Sequence, residues 1–206
     1  MAGEANAADR LAVSLRQRLQ RARVGMLVSI SSGCHGQLRA ALTEAEDVEL
    51  IDLASLLQRL LATDALEFTC ADETVVYYEP CSQRAHLPRG RWQSLLGAVP
   101  GLALLDPAQL PTCCGAAGSY FLDHPEQAEP LRSELLDALL RSGASRVLTS
   151  NGGCAQYLRA GLAARGSTIV VQHPVELLAE RLPSAASPQG TATNQPSPPA
   201  PRPHPR

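Results

Sequence analysis

The chain has 206 residues, 45% of them hydrophobic but only 3% aromatic, enough for one domain or two small ones with a core of Leu, Val and Ala. A formal charge of −2 gives no electrostatic footprint for nucleic acid, and no apolar run approaches the ~20 residues of a membrane-spanning helix. The N-terminal Met1-Ala2-Gly3-Glu4-Ala5-Asn6 lacks the basic and apolar regions of a secretory signal, which predicts a cytoplasmic protein.

In chain order, Leu11, Leu15 and Leu19 recur every four residues and predict a helix over 8–23. The short apolar run 24–30 predicts a buried strand, 31–34 a turn holding Cys34, and 37–45 a helix. A strand over 48–51 and a helix over 53–61 follow. Thr74-Val75-Val76-Tyr77-Tyr78 is the strongest strand signal, being β-branched and aromatic throughout, and it runs into Glu79-Pro80-Cys81. A helix over 91–97 and a strand over 102–105 lead to the turn Cys113-Cys114-Gly115-Ala116-Ala117-Gly118. The next helix starts near His124-Pro125-Glu126 and carries Leu131, Leu135, Leu136, Leu139 and Leu140 on one face. A strand over 146–150, a turn holding Cys154, a helix over 156–164, a strand over 168–171 and a helix over 174–182 complete the order. Strands alternating with helices predict an α/β fold of βαβ units with parallel sheets. Eight of the last 24 residues are proline, so 183–206 reads as a disordered, solvated tail.

Sliding the chain by 120 residues places Gly33-Cys34 on Gly153-Cys154 and Leu38-Arg39-Ala40 on Leu158-Arg159-Ala160. The chain therefore reads as two tandem Rossmann-like repeats: a truncated first one over 1–63, having the second half only, and a complete one over 64–182. Without a secretory signal, the six cysteines are expected as thiols or metal ligands, a disulfide scaffold being the bland alternative. Cys81, Cys113, Cys114 and Cys154 each follow a predicted strand, with 31 residues between Cys81 and Cys113 and 39 between Cys114 and Cys154. In a parallel sheet such loops share one edge, so the four thiolates converge, suiting either a [4Fe–4S] cluster or a tetrahedral zinc. Gly115, Gly118 and Gly153 are the glycines expected to bring backbone N–H groups to cluster sulfurs.

The spacing Cys-x31-Cys-Cys-x39-Cys, with Cys-Cys-Gly-Ala-Ala-Gly-Ser-Tyr and Asn-Gly-Gly-Cys, resembles the cysteine-rich CCG domain, shared by heterodisulfide reductase and the iron–sulfur subunits of glycolate and lactate oxidation. Glu79-Pro80-Cys81-Ser82-Gln83-Arg84 and Gln172-His173-Pro174-Val175-Glu176 are most similar to the glycolate oxidase iron–sulfur subunit. The resemblance implies a [4Fe–4S] cluster on the four cysteines and a non-catalytic electron-transfer role in an oxidoreductase. It also implies an FAD-containing oxidase subunit and a ferredoxin-like iron–sulfur subunit as partners, and peripheral association with the inner face of the membrane through them. The fuller family pattern has a cysteine where this chain has Asn151, and Ser31 stands at the equivalent point of the first repeat. A fragment, a split subunit, or a missing half supplied by another chain would each account for the truncated first repeat. The competing readings are a zinc-stabilised structural or assembly module and a thiol–disulfide reductase of the heterodisulfide reductase type, working through Cys113 and Cys114.

Elsewhere the bland readings prevail. Cys34 is expected as a relic and Cys70 as a buried small hydrophobe. The Gly115–Gly118 loop lacks the Lys-Ser/Thr of a phosphate cradle, and His173 is expected to start a helix. Arg84 is expected to be solvated and Tyr120 packed.

Overall fold

The computed structural model describes residues 5–43, 47–105 and 110–183; the expected tail, apart from Pro183, lies outside them. The first unit runs α1 (Ala5–Arg21), β1 (Met26–Ser29), α2 (Ser32–Ala41), β2 (Glu49–Asp52) and α3 (Leu53–Leu61). The second runs β3 (Glu73–Tyr77), α4 (Cys81–His86), α5 (Arg91–Gly97), β4 (Leu102–Leu105) and α6 (Tyr120–Asp123). It continues through α7 (Pro125–Arg141), β5 (Arg146–Leu148), α8 (Gly152–Ala164), β6 (Val170–Gln172) and α9 (Pro174–Glu180). All strand pairs are parallel, β1 with β2 in one sheet and β4-β3-β5-β6 in the other.

The 120-residue offset holds element by element. α1 and α7 match at both ends, and β1, α2, β2 and α3 correspond to β5, α8, β6 and α9. In the second unit β3 fills the far edge of β5, whereas β1 pairs only with β2 among the described residues. Burial follows this difference, because Val147 and Leu148 are fully buried while their equivalents Leu27 and Val28 are half-exposed.

The four-stranded sheet carries a core on each face. Central β3 is covered on both sides, which is why its apolar residues run without alternation. Toward α7 and α8, Val76, Tyr78 and Val147 pack against Leu135, Leu136, Leu139, Leu158 and Leu162. Toward α5 and α9, Val75, Tyr77 and Leu148 meet Trp92, Leu95, Leu96 and Leu177, joined by Ala54 from α3 of the first unit. A fully buried Leu or Val contributes roughly 1.5–3 kcal/mol each, so these two layers dominate stability.

Several sequence expectations need correction. The face of α7 is narrower than predicted, since Leu131 and Leu140 are 42% and 41% exposed. Cys70 is exposed rather than buried, because it precedes β3 in a segment tied by the Ala71 N–H bond to the Pro100 carbonyl, with its thiol directed to the Ala71 carbonyl. α2 and α8 begin earlier than predicted, at Ser32 and Gly152, and α4 begins at Cys81. Cys34, Cys81 and Cys154 therefore lie in first helical turns, not in turns ahead of helices. No described helix is long and apolar enough to cross a membrane.

Candidate metal centre

Parallel strands bring the cysteine segments to the carboxyl edge of the four-stranded sheet. Cys81 follows β3, Cys113 and Cys114 follow β4, and Cys154 follows β5. All six cysteines are free of disulfides, as expected for thiols. Cys114 and Cys154 are buried, and their sulfurs stand 2.6 Å apart, closer than ordinary contact but longer than the ~2.05 Å of a disulfide. Cys113 is half-buried, with the Gly115 N–H donating to its sulfur at 3.4 Å, and Cys81 is exposed. The neighbours Cys113 and Cys114 thus turn to different surroundings, and the close pair is Cys114 with Cys154.

The electrostatics join all four. The hydrogen bond from Cys154 lowers the Cys114 pKa to about 7, helped by the Ala116 backbone N–H, while that bond and burial hold the Cys154 thiol far up. Of the two thiols, Cys114 is therefore the more easily ionised. Partial desolvation raises the pKa of Cys81 despite its exposed surface, and the sulfurs of Cys113 and Cys114 add to the rise. Among the described residues, no three His, Cys, Asp or Glu side chains are gathered tightly enough to hold an ion as they stand. Thiolates brought together without a counter-ion repel, and metal sites commonly close only on binding.

The donor set fits a metal–sulfur group in two further respects. The Tyr78 hydroxyl is buried in the core layer that also holds Cys114 and Cys154, with no hydrogen-bond partner among the described residues, and the Thr149 hydroxyl is likewise unpartnered. Burial raises the Tyr78 pKa, and Cys114, Cys154 and Cys113 raise it further. Buried polar groups are rarely left unsatisfied, so the orphaned Tyr78 hydroxyl in the layer of Cys114 and Cys154 suits a group that accepts hydrogen bonds.

Around the cysteines, hydrogen bonds tie the segments together. Arg84 is not a solvated cation: it donates to the Glu79 carbonyl at 2.7 Å and to the Thr112 carbonyl, tying the Cys81 segment to the Cys113 segment. Gln83, 1% exposed, accepts from Tyr77 at 2.6 Å and from Ser150 at 2.7 Å. His173 does start α9: its Nδ1 accepts from the Val175 N–H, Glu176 completes the capping box, and Nε2 donates to the Ile30 carbonyl. Tyr120 is only partly packed, at 38% exposure, stacked on His124 with ring centroids 4.4 Å apart. Gly118 has open space where a Cβ would stand, whereas Gly115 and Gly153 face Ala128 and Asn151.

Asn151 occupies the position of the missing cysteine with a structural role. Its Oδ1 caps α8 by accepting from Gly153 N (2.9 Å) and Cys154 N (3.2 Å), and its Nδ2 donates to Ser82 Oγ (3.0 Å). Ser82 Oγ in turn meets Ser32 Oγ at 2.9 Å, so Asn151 and Ser82 together link the Cys154 helix, the Cys81 segment and the first unit. Asn before a helix is itself a cap signal, legible in Asn151-Gly-Gly-Cys. Asn151→Ala is expected to lower stability by about 1–2 kcal/mol in thermal unfolding of the metal-free protein, and an unchanged midpoint would refute the capping role.

Residues 75–159, which contain all four cysteines, match the family profile of the cysteine-rich domain CCG. The chain is 30% identical over 167 residues to the glycolate oxidase iron-sulfur subunit of Escherichia coli K12, a match covering 76% of this chain and 40% of that protein. It is 31% identical over 86 residues to lactate utilization protein A of an Exiguobacterium species, covering 42% and 35%. A subunit of the dihydromethanophenazine:CoB–CoM heterodisulfide reductase of Methanosarcina barkeri is 26% identical over 165 residues, covering 72% and 39%. The matches thus span 40% or less of each of these relatives.

Proposed function

We propose that this chain, which carries a cysteine-rich CCG domain over residues 75–159, is an iron–sulfur electron-transfer subunit, or part of one, in glycolate- or lactate-type 2-hydroxy-acid oxidation. The observation that carries the reading is the meeting of Cys114 and Cys154 in the core, with Cys81 and Cys113 at the same sheet edge. Cys81, Cys113, Cys114 and Cys154 would hold a [4Fe–4S] cluster. The backbone at Gly115, Gly118 and Gly153 would lie against it. When bound, such a cluster supplies a one-electron store. The chain's own residues set the rest: Arg84 ties two ligand segments together, Asn151 orients the first turn holding Cys154, and the sheet's apolar layers keep water from Cys114.

The name of one relative, an iron-sulfur subunit of glycolate oxidase, supports the setting of an oxidase complex; a flavin-bearing subunit that gives electrons to this one is part of the proposal. A ferredoxin-like iron–sulfur subunit as a further partner, and a place on the cytoplasmic face of the membrane through those partners, belong to the same proposal. The thiol–disulfide reading through Cys113 and Cys114 is disfavoured by Cys114 turning inward to Cys154.

Anaerobic reconstitution with iron and sulfide is expected to give about four irons per chain, broad visible absorption and an EPR signal on reduction. A colourless, iron-free product would overturn the reading. Stoichiometric zinc, with unfolding by chelator, would establish the zinc-stabilised module instead.

A further inference from the structure

Residues 77 and 78 are both tyrosine, both are buried to 2% exposure or less, and they face opposite sides of β3. Their hydroxyls fare differently. Tyr77, in the layer toward α5 and α9, donates to Gln83 Oε1 at 2.6 Å and reaches Ser150 Oγ at 3.5 Å. Tyr78, in the layer that also contains Cys114 and Cys154, has a buried hydroxyl with no partner among the described residues. A phenylalanine would fill the same space without an orphaned hydroxyl, which costs about 1–3 kcal/mol when left unsatisfied. After burial, the sulfurs of Cys114, Cys154 and Cys113 are the groups that act most on the phenol. Strand alternation places Thr149 on the same face of the neighbouring strand, next to Val147 of that layer, and its hydroxyl is orphaned too. Of the two adjacent tyrosines, the one away from the cysteines is satisfied by protein, and the one toward them is not.

We infer that the Tyr78 hydroxyl donates a hydrogen bond to a sulfur of the centre at Cys114 and Cys154, making Tyr78 a positioning residue that raises the centre's reduction potential. The inference rests on the iron–sulfur reading. A donor to a sulfur withdraws negative charge, and the reduced, more negative state gains most from it. Tyr78→Phe should therefore shift the potential downward while leaving the apolar packing intact.

The test compares Tyr78→Phe and Tyr77→Phe in the full chain, reading the thermal midpoint of the metal-free protein and the midpoint potential after iron–sulfur loading. A crossed pattern is expected. Tyr78→Phe leaves metal-free stability unchanged or higher and lowers the potential; Tyr77→Phe lowers metal-free stability and leaves the potential in place. Equal potentials for wild type and Tyr78→Phe at equal iron content would overturn the inference and leave the iron–sulfur reading standing. A metal-free Tyr78→Phe protein destabilised as much as Tyr77→Phe would overturn it too, since the hydroxyl would then have a partner within the protein. A wild-type chain that takes up no iron would remove the reading and the inference together.

Discussion

Cys114→Ser is expected to reduce bound iron at least about tenfold after anaerobic reconstitution, whereas Cys34→Ser is expected to load as wild type does. Loss of a partner that merely orients a ligand costs ~10–100-fold in metal affinity, and a ligand should cost more. Cys114 is the ligand with the strongest structural argument. It is 2% exposed, its sulfur meets that of Cys154 at 2.6 Å, and the Cys154 hydrogen bond lowers its pKa to about 7. Serine keeps the size within one atom but replaces a polarizable thiolate by a hydroxyl that stays protonated at neutral pH. Cys34 is exposed in the first turn of α2, with no other cysteine tied to it by hydrogen bond. Iron and acid-labile sulfide per chain, with visible absorption, check both variants. Wild-type iron in Cys114→Ser would remove Cys114 from the site. Loss of iron in Cys34→Ser would instead bring the first unit into it.

The parts of this molecule that repeat a simple period are legible in the sequence. α5 and β4 fall on their predicted residues, and the 120-residue echo maps five elements of one unit onto the other. The convergence of the cysteine segments follows from parallel topology alone. Helix starts are harder to place where glycine stands near a cysteine. Gly33, Gly152 and Gly153 carry a turn signal, yet in a first turn they sit before the helical hydrogen bonds and cost little there, and Asn151 caps the start of α8. Leu131 and Leu140 share a helical face with the buried leucines by spacing, but burial depends on how far the opposing sheet extends, which no local pattern encodes. Tyr78 reads as strand material alone for a similar reason: only the assembled sheet reveals which of two adjacent tyrosines lacks a partner. Arg84 has the sequence signature of a surface cation because its two acceptors are backbone carbonyls, one of them 28 positions away.

Gly115→Ala tests how closely fold and site are coupled. Gly115 has φ +83°, in the left-handed region, and a Cβ there would stand 2.5 Å from the Ala128 carbonyl oxygen in the first turn of α7. The conformation alone costs a non-glycine residue roughly 1–2 kcal/mol. Relieving contact with a backbone atom that cannot rotate away adds an overpacking cost of about 1–3 kcal/mol. A loss of about 2–5 kcal/mol is therefore expected, a large part of the roughly 5–15 kcal/mol that holds a typical domain folded. The relief available is a shift of the turn away from α7, and that turn carries Cys114 on one side and Ala116, whose N–H supports the Cys114 thiolate, on the other. Denaturant unfolding should show the stability loss, and reconstitution should show reduced iron even where the variant remains folded. Gly118→Ala separates the two effects. Gly118 has a similar φ of +70° but open space where the Cβ would go, so it should incur the conformational cost alone. If Gly115→Ala proved no worse than Gly118→Ala in both assays, close packing of the double-cysteine turn on α7 would not be what holds Cys114 in the core.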